Sequence, residues 1–270
     1  MSKLTAIASP PDLDSIGSVY LLRRALRGVE LEVKYLEHNE IEIKEADYIL
    51  DSPHGKARIK RFDHHGEKVY SCSAIKVVES FSLGRAEKRL AEAICWQDNA
   101  GWKSLQREGM DNLLDLVLRS FIAAGKDINE IEDIFKVIFD SMIIKFEQDY
   151  SLIEEIRGKI MYRGQDKGKV LVVSGDYPKD LIFREFEPLL LVKAEGAYVS
   201  VTRSASLNVP DLNSFKPILE RNVRDISRWF FHPIGFYFGY SPEPGKREER
   251  QIDPVVLGKL LEDFLKSLEI

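Results

Sequence analysis

Cysteine is scarce in this chain of 270 residues, which contains only Cys72 and Cys95. The two stand in unrelated contexts, so they indicate neither a disulfide framework nor the paired spacing of a zinc site. No apolar run approaches the roughly 20 residues that a bilayer-spanning helix needs. The first residues also lack the charged-then-apolar pattern of a secretory signal. These absences predict a cytoplasmic protein that has no membrane partner.

An excess of positive charge is absent as well, because 39 Lys and Arg face 44 Asp and Glu, a net charge of -5 at pH 7. Nonspecific contact with duplex DNA usually needs a basic face, so long duplex DNA is not an expected partner. A short nucleotide held by a few cations and a metal remains compatible with this balance. With 44% hydrophobic and 31% charged residues, the composition predicts one large or two medium globular domains.

Carboxylates follow the predicted strands in the first part of the chain. Hydrophobic patterning predicts strands over residues 4–8, 30–35, 47–50 and 57–62, with a helix over 19–26. The acidic and imidazole side chains at the ends of these strands are Asp12, Asp14, Asp51, Asp63 and His64. Open parallel sheets bind ligands outside the carboxyl ends of their strands, so these side chains are expected to converge on one edge.

An adjacent histidine pair, His64 and His65, stands directly behind Asp63. Along a strand, neighbouring side chains point to opposite sides, but at the end of a strand one ring can turn to a metal and the other to a substrate. A preceding carboxylate can hold a ring by its second nitrogen and so fix the tautomer of a metal ligand. Packing is the alternative role for the pair, and helix capping is the alternative for Asp12 and Asp14.

Four separated aspartates and one histidine form the predicted centre: Asp12, Asp14, Asp51, Asp98 and His64. Clustered carboxylates raise each other's pKa values, and divalent cations remove that penalty. Oxygen-rich ligation with one imidazole suits Mn²⁺ or Mg²⁺ better than structural zinc. Two such ions activate water and neutralise charge on phosphorus oxygens. Asp98 stands in a predicted turn over 97–102, and an ordinary turn role is its alternative.

Four ordered motifs carry a resemblance to a known family. Residues 11–18, then Asp51, then residues 63–65, then Asp98 resemble the motifs of the DHH phosphoesterase superfamily. Residues 71–74 also resemble the small Ser/Thr stretch that follows the triplet in its members. The superfamily includes oligonucleotide and cyclic-dinucleotide phosphodiesterases, phosphoadenosine phosphatases, RecJ-type exonucleases and manganese pyrophosphatases.

The resemblance implies a centre of two ions, Mn²⁺ or Mg²⁺, bridged by Asp51. Asp14, His64 and Asp98 would complete one site, and Asp12 would belong to the other.

Two further roles and one departure come with the resemblance. His65 would contact the phosphate and stabilise developing charge, and Asp63 would support the histidine pair. Many members place a histidine four or two residues before the first aspartate, where this chain has Ala8 and Pro10. The ion at Asp12 is therefore expected to bind more weakly than the other.

The C-terminal part resembles the DHH-associated domain. Residues 199–204 resemble a strand of that domain that ends in Arg-Ser, and residues 230–235 stand where it has a glycine-rich loop with a histidine. The resemblance implies that Arg203, Ser204 and His232 contact the substrate. Phenylalanines replace glycines here, so stacking on a base is the alternative to close backbone approach to a phosphate. Core packing is the alternative for most of these aromatics.

The sequence thus predicts an α/β protein in which two domains face each other across a cleft. A parallel-sheet DHH domain that binds metal and carries out catalysis is expected over 1–125, a helical connector over 126–163, and a smaller α/β substrate-binding domain over 164–270. The expected activity is metal-dependent hydrolysis of phosphoester bonds in short oligonucleotides or small nucleotides, exonuclease action included. The alternatives are a pyrophosphatase-like phosphatase and a nucleotide-binding regulatory protein with a decayed site. The oligomeric state is left open, a homodimer included.

Overall fold

The computed structural model describes residues 3–36, 40, 44–66, 71–107, 113–165, 169–205, 210–242 and 250–269. The side chains of residues 98–107 and 113 lie outside this description. The chain divides into two compact units, Met1–Gln148 and Asp149–Ile270. Within the described residues, no helix is long and apolar enough to cross a membrane.

The first unit is built on a four-stranded parallel sheet with the order β2-β1-β3-β4. Its strands are β1 (Leu4–Ala8), β2 (Leu31–Tyr35), β3 (Glu45–Leu50) and β4 (Lys56–Phe62). The chain runs from β1 to one neighbour, β2, and then crosses to the other neighbour, β3. This reversal places a topological switch point between β1 and β3, where open parallel sheets bind their ligands.

The helices of the first unit are α1 (Leu13–Ala25), α2 (Ser73–Phe81), α3 (Arg85–Arg107), α4 (Leu113–Ala123) and the start of α5 (Ile128–Arg157). The buried face of α3 includes Leu90 and Ile94. A Cβ added at Gly17 of α1 would collide with Cδ1 of Ile94. The glycine therefore lets α1 and α3 approach closely.

The turn that the sequence predicted over 97–102 is wrong, because α3 continues through these residues to Arg107. A single glycine inside a helix costs only about 1 kcal/mol, so Gly101 does not stop it. Asp98 consequently lies on a helix, and its side chain is outside the described residues. The open choice between one helix and a bent pair over 127–158 is also resolved, since α5 is one helix.

The second unit contains a six-stranded mixed sheet with the order β5-β6-β7-β8-β10-β9. Its strands are β5 (Ile160–Arg163), β6 (Val170–Ser174), β7 (Leu190–Glu195), β8 (Tyr198–Arg203), β9 (Trp229–Phe231) and β10 (Tyr237–Tyr240). Only β6 and β7 pair in parallel within this sheet. They are connected through α6 (Lys179–Phe186). Both units are therefore α/β, and the predicted fold class is confirmed.

Two apolar clusters sandwich this sheet. One face packs against the C-terminal helix α8 (Pro254–Ser267) through residues such as Val172, Val192 and Leu261. The opposite face packs against α6 through Leu171, Leu191 and other side chains that alternate along the strands with those of the first face. Because side chains alternate along a strand, this division assigns every residue of β6 to β8 to one of the two faces.

The helix that the sequence predicted over 213–227 is wrong. The structure has a short 3₁₀ turn (Leu212–Phe215), a five-residue helix α7 (Lys216–Glu220) and a second 3₁₀ turn (Ile226–Arg228). The carboxylates of Asp211 and Asp225 accept hydrogen bonds from the N–H groups two residues ahead. Such local bonds compete with helix continuation and favour turns.

Candidate metal centre

Asp51 stands at the switch point, directly after the last residue of β3. Its backbone is left-handed, with φ of 52°, a conformation that aspartate tolerates better than most residues. Its N–H donates to the carbonyl of Phe62 at the end of β4, at 2.8 Å. The Ser15 and Ser73 hydroxyls approach its two carboxylate oxygens at 3.4 Å each. The side chain is only 2% exposed, so the fold fixes it at the edge of the sheet.

The two histidines meet Asp51 there. His64 Nε2 lies 3.1 Å from Asp51 Oδ1 and 3.7 Å from Asp14 Oδ2, and His65 Nδ1 lies 3.9 Å from Asp51 Oδ1. Asp51, His64 and His65 each offer a ligand atom, and these atoms all lie within 4.8 Å of one another. Neighbouring ligands about 2.1 Å from an octahedral ion are about 3 Å apart, so the spacing of His64 and Asp51 fits shared coordination of one cation.

Asp63 holds the ring of His65. Its Oδ1 accepts a hydrogen bond from His65 Nδ1 at 2.6 Å and another from the backbone N–H of His65 at 3.3 Å. A carboxylate bound at Nδ1 fixes the tautomer and the orientation of the ring. The Lys76 ammonium donates to the carbonyl of Asp63. Asp63 thus orients the ring of His65, and its predicted support of the pair as a whole stays a prediction.

Asp14 is held by the N-terminus of α2. Its Oδ2 accepts from the N–H of Ser73 at 2.8 Å, and its Oδ1 accepts from the N–H of Ala74 at 2.9 Å and from the Ser18 hydroxyl at 3.3 Å. The partial positive charge of a helix N-terminus stabilises a carboxylate there. Asp14, on the first turn of α1, is 1% exposed, so α2 fixes this carboxylate beside His64.

The positioning role of Ser73 was missed at the level of sequence. Besides its amide bond to Asp14, its hydroxyl donates to the Phe62 carbonyl at 2.8 Å, so it connects α2 to the end of β4. The sequence feature that could have indicated this role is the run of small residues over 71–74, which contains Ser73. Burial raises the pKa of the neighbouring Cys72 thiol.

Asp12 makes the hydrogen bond of a helix cap, and its predicted part in the metal centre stays a prediction. Its Oδ1 accepts from the N–H of Ser15 at 2.9 Å at the start of α1. It is not among the three side chains whose ligand atoms converge in the described part of the chain. Asp98 lies on α3, and its position relative to the centre falls outside the described side chains.

The predicted substrate residues of the second unit surround one end of its sheet. Arg203 ends β8, and its N–H donates to the carbonyl of Phe236 at 3.0 Å. The N–H of Ser204 donates to the carbonyl of Leu189 at 2.8 Å. The His232 ring lies 4.2 Å, between centroids, from the ring of Phe236. Arg203 and His232 therefore both lie next to Phe236.

The loop from His232 to Phe236 retains one required glycine. Gly235 has φ of 63°, and a Cβ added there would collide with the carboxylate of Asp211. The N–H of Gly235 donates to the carbonyl of His232 at 2.8 Å, which closes the turn between β9 and β10. The glycine serves this turn, and the aromatic residues around it belong to a hairpin that the sequence had not predicted.

Comparison with known proteins gives only remote likenesses. No family model and no curated protein matches the sequence. Among solved structures, an uncharacterized protein from Helicobacter pylori is 9% identical, with 98% of this chain and 100% of that chain covered and a TM-score of 0.28. RecJ from Thermus thermophilus in complex with Mn²⁺ is 12% identical, with coverage of 98% and 52% and a TM-score of 0.28.

The DHH domain of a member of the s1p family of ribosomal proteins is 10% identical, with coverage of 98% and 86% and a TM-score of 0.32. This chain spans about half the length of the Thermus RecJ chains that it matches. At these TM-scores the likenesses assign neither family nor function.

Proposed function

We propose that this chain is a metal-dependent phosphoesterase of the DHH superfamily that hydrolyses phosphoester bonds in short oligonucleotides or small nucleotides. The observation that carries the proposal is the convergence of Asp51, His64 and His65 on the switch point of a parallel sheet, next to the buried Asp14. Carboxylate oxygens with imidazole nitrogens are a donor set that suits Mn²⁺ or Mg²⁺.

The residues divide into metal ligands and a phosphate contact. Asp51, His64 and Asp14 would hold the ion, with Asp98 and Asp12 as the further ligands that the motif order implies. A divalent ion supplies activated water and neutralises charge on phosphoryl oxygens. His65 donates from Nδ1 to Asp63, so a hydrogen bond to a phosphoryl oxygen would come from the Nε2–H of the imidazolium form, in which both ring nitrogens are donors.

The substrate is proposed to be short. The net charge of -5 offers no excess of cations for a long nucleic acid. Arg203, Ser204 and His232 are proposed to contact a second phosphate or a base. Arg203 suits a phosphate because a guanidinium can bind two of its oxygens at once.

One set of observations favours a rival in a different class, a nucleotide-binding regulatory protein with a decayed active site. Ala8 and Pro10 stand where family members carry an imidazole. Asp12 acts as a helix cap, and both oxygens of Asp14 accept backbone amides. Within enzymes, the rival is a pyrophosphatase-like phosphatase.

A panel of substrates separates these three functions. The full chain is stripped with a chelator, reloaded with Mn²⁺ or Mg²⁺, and assayed on a dinucleotide, a cyclic dinucleotide, a 3′-phosphorylated nucleotide and pyrophosphate. Turnover of any of the first three that depends on the ion is expected. Turnover of pyrophosphate alone would favour the phosphatase. Tight nucleotide binding without any turnover would favour the regulatory protein and overturn the proposal.

A further inference from the structure

The start of α6 in the second unit lies where an anion site is expected. The helix follows β6, the first strand of the parallel pair, so its N-terminus is at the carboxyl edge of that pair. Its N-cap is Pro178, a residue without a side-chain acceptor for the N–H groups of the first turn. The first turn of a helix attracts anions through these N–H groups and its partial positive charge.

A buried hydroxyl on the same face of the sheet needs a partner. Ser200 of β8 is 1% exposed, and its Oγ has no hydrogen-bond partner within the part of the chain that the structure describes. Its direct neighbour across the strands is Lys193 of β7. Leu191, two residues before Lys193, packs with Leu181 of α6. By the alternation of the strands, Ser200 and Lys193 thus face the side that α6 covers.

Two lysines lie on this side of the sheet, one already paired with a carboxylate. Lys193 is 6% exposed, and its Nζ donates to the carbonyl of Tyr177 at 2.9 Å and to Asp176. Lys179, the first residue of α6, places its Nζ 4.7 Å from the centroid of the Tyr237 ring. Burial and the nearby charge of Lys193 lower the pKa of Lys179. A bound anion would oppose both effects, because it stabilises the charged form of Lys179.

A pair of tyrosines supplies a further proton. The hydroxyls of Tyr198 and Tyr237 lie 2.8 Å apart, and burial raises the pKa of Tyr237, so the group stays protonated. One hydroxyl donates to the other, which leaves the second proton for another acceptor. A Cβ at Gly239 would lie 2.7 Å from the Tyr237 hydroxyl, so the glycine lets the Tyr237 ring lie along the strand toward Tyr198.

We propose that Lys179, Ser200 and the two tyrosines, with the first turn of α6, bind a phosphate group. The donors come from three elements, α6, β8 and β10, and a tetrahedral oxyanion offers more acceptor oxygens to such a set than a planar carboxylate does. Arg203 lies on the other face of β8, the face of Val201, because it stands an odd number of residues from Ser200. The site is thus separate from the predicted contact of Arg203 and needs no metal, so it goes beyond the proposed hydrolysis.

The test is calorimetric titration of the full chain with inorganic phosphate, in chelator and at constant ionic strength. Wild type is expected to bind saturably, and Lys179→Met to weaken binding about tenfold or more, as loss of a charged hydrogen bond does. The matched control is Lys216→Met, which removes another ammonium that lies over a ring of this unit, 5.7 Å from the centroid of Phe231. It is expected to leave phosphate affinity unchanged.

Ser200→Ala separates binding from structure. Removing a buried hydroxyl that lacks a partner leaves the protein at least as stable, so thermal unfolding should be unchanged or shifted upward. Phosphate affinity is expected to fall severalfold nonetheless, whereas a merely structural serine would leave it unchanged. A comparison of AMP with inorganic phosphate then identifies the source. Tighter binding of AMP than of inorganic phosphate would indicate that the site takes the phosphate of a nucleotide. Equal binding would indicate that it takes the free phosphate ion.

Three results with wild type and the two lysine variants would overturn the site. They are the absence of saturable binding by wild type, equal losses in Lys179→Met and Lys216→Met, and unchanged affinity in Lys179→Met. Asp51→Asn is expected to bind phosphate as wild type does. If that variant lost phosphate binding, the anion would belong to the centre in the first unit and the proposal would fail. Failure of hydrolysis on the substrate panel would leave this site untouched.

Discussion

The two units hold their predicted site residues in different ways. In the first unit, Asp14 and Asp51 are buried and fixed by amides and hydroxyls from α1 and α2. In the second, the hairpin loop that contains His232 exposes Ile234 and Phe236, and Phe230 of β9 is 57% exposed. Chemistry benefits from groups that are locked before the substrate arrives. A surface of exposed aromatic residues is better suited to adapting to different ligands.

The largest effect should come from the buried centre. Asp51→Asn is expected to abolish turnover and to weaken Mn²⁺ binding by more than about 100-fold, because it removes the carboxylate that both histidines approach. Titration calorimetry and the substrate panel would measure the two effects. The matched control is Asp47→Asn on the same strand, whose carboxylate accepts from the N–H of Thr5 at 2.8 Å and serves the sheet. Equal losses in both variants would contradict the assignment.

His65→Ala should lower kcat about 100-fold on every substrate that the chain hydrolyses. The ring is oriented by Asp63, and its proposed contact is with the phosphoryl group common to all substrates. Asp63→Asn should give a smaller loss of kcat, since it loosens the ring without removing it. Steady-state kinetics on two substrates of different size would test this, and a loss confined to the larger one would move His65 to substrate selection.

Arg203→Ala should raise KM without a comparable change in kcat. A charged hydrogen bond to a remote phosphate contributes about 1.5–3 kcal/mol, and remote contacts add binding energy without performing the chemistry. Hydrolysis of a small generic phosphodiester should be unaffected. If Arg203→Ala changed neither binding nor rate on any nucleotide, the C-terminal part of the resemblance would be wrong. Only the site residues of the first unit would then keep a proposed role.

The smallest expected effect is on stability in acid. In the second unit, a hydrogen bond from Tyr162 lowers the pKa of the buried Glu262. In the first unit, a backbone hydrogen bond from Thr5 lowers the pKa of Asp47. A carboxyl group whose pKa is lower in the folded state stabilises the protein above its unfolded pKa, near 4, and this contribution is lost as the pH falls through the folded value.

Urea unfolding between neutral pH and about pH 3.5 would follow this loss. Glu262→Gln and Asp47→Asn should each make stability less dependent on pH on the acid side, because the neutral amide does not titrate. The pKa of Tyr162 is raised to about 12, so its contribution is complete below its unfolded pKa near 10 and fades only in strong alkali. A steeper acid limb in Glu262→Gln would contradict the assignment.

Asp51, His64 and His65, which the sequence singled out, lie close together in the first unit for a physical reason. Strand ends in a parallel sheet meet at one edge, so residues after β1, β3 and β4 converge whatever the details. The contact of Asp63 with the ring of His65 depends on one hydrogen bond, and no sequence pattern predicts it. The N-terminus of α2 at Asp14 likewise follows from packing between residues far apart in the chain.

In the second unit, local signals misled. The aspartates at 211 and 225 looked like members of a helix or its flanks, yet each starts its own short turn. The aromatic stretch over 229–240 lacks the alternation of a half-exposed strand, because β9 and β10 have large apolar residues on both faces. Ser200 gave no signal at all, since a serine in a strand is ordinary until its burial and its neighbours are known.

The left-handed backbone at Asp51 restricts which residues evolution can try there. Glycine and asparagine share aspartate's tolerance of a positive φ, whereas glutamate and most other residues do not. Glutamate would keep the carboxylate but strain the chain, and glycine or asparagine would keep the chain but lose the carboxylate. Aspartate is therefore the residue that meets both requirements, a backbone that tolerates a positive φ and a side chain that carries a carboxylate. A scan of all substitutions of Asp51 should find no other residue that retains both the stability of the fold and the metal-dependent activity.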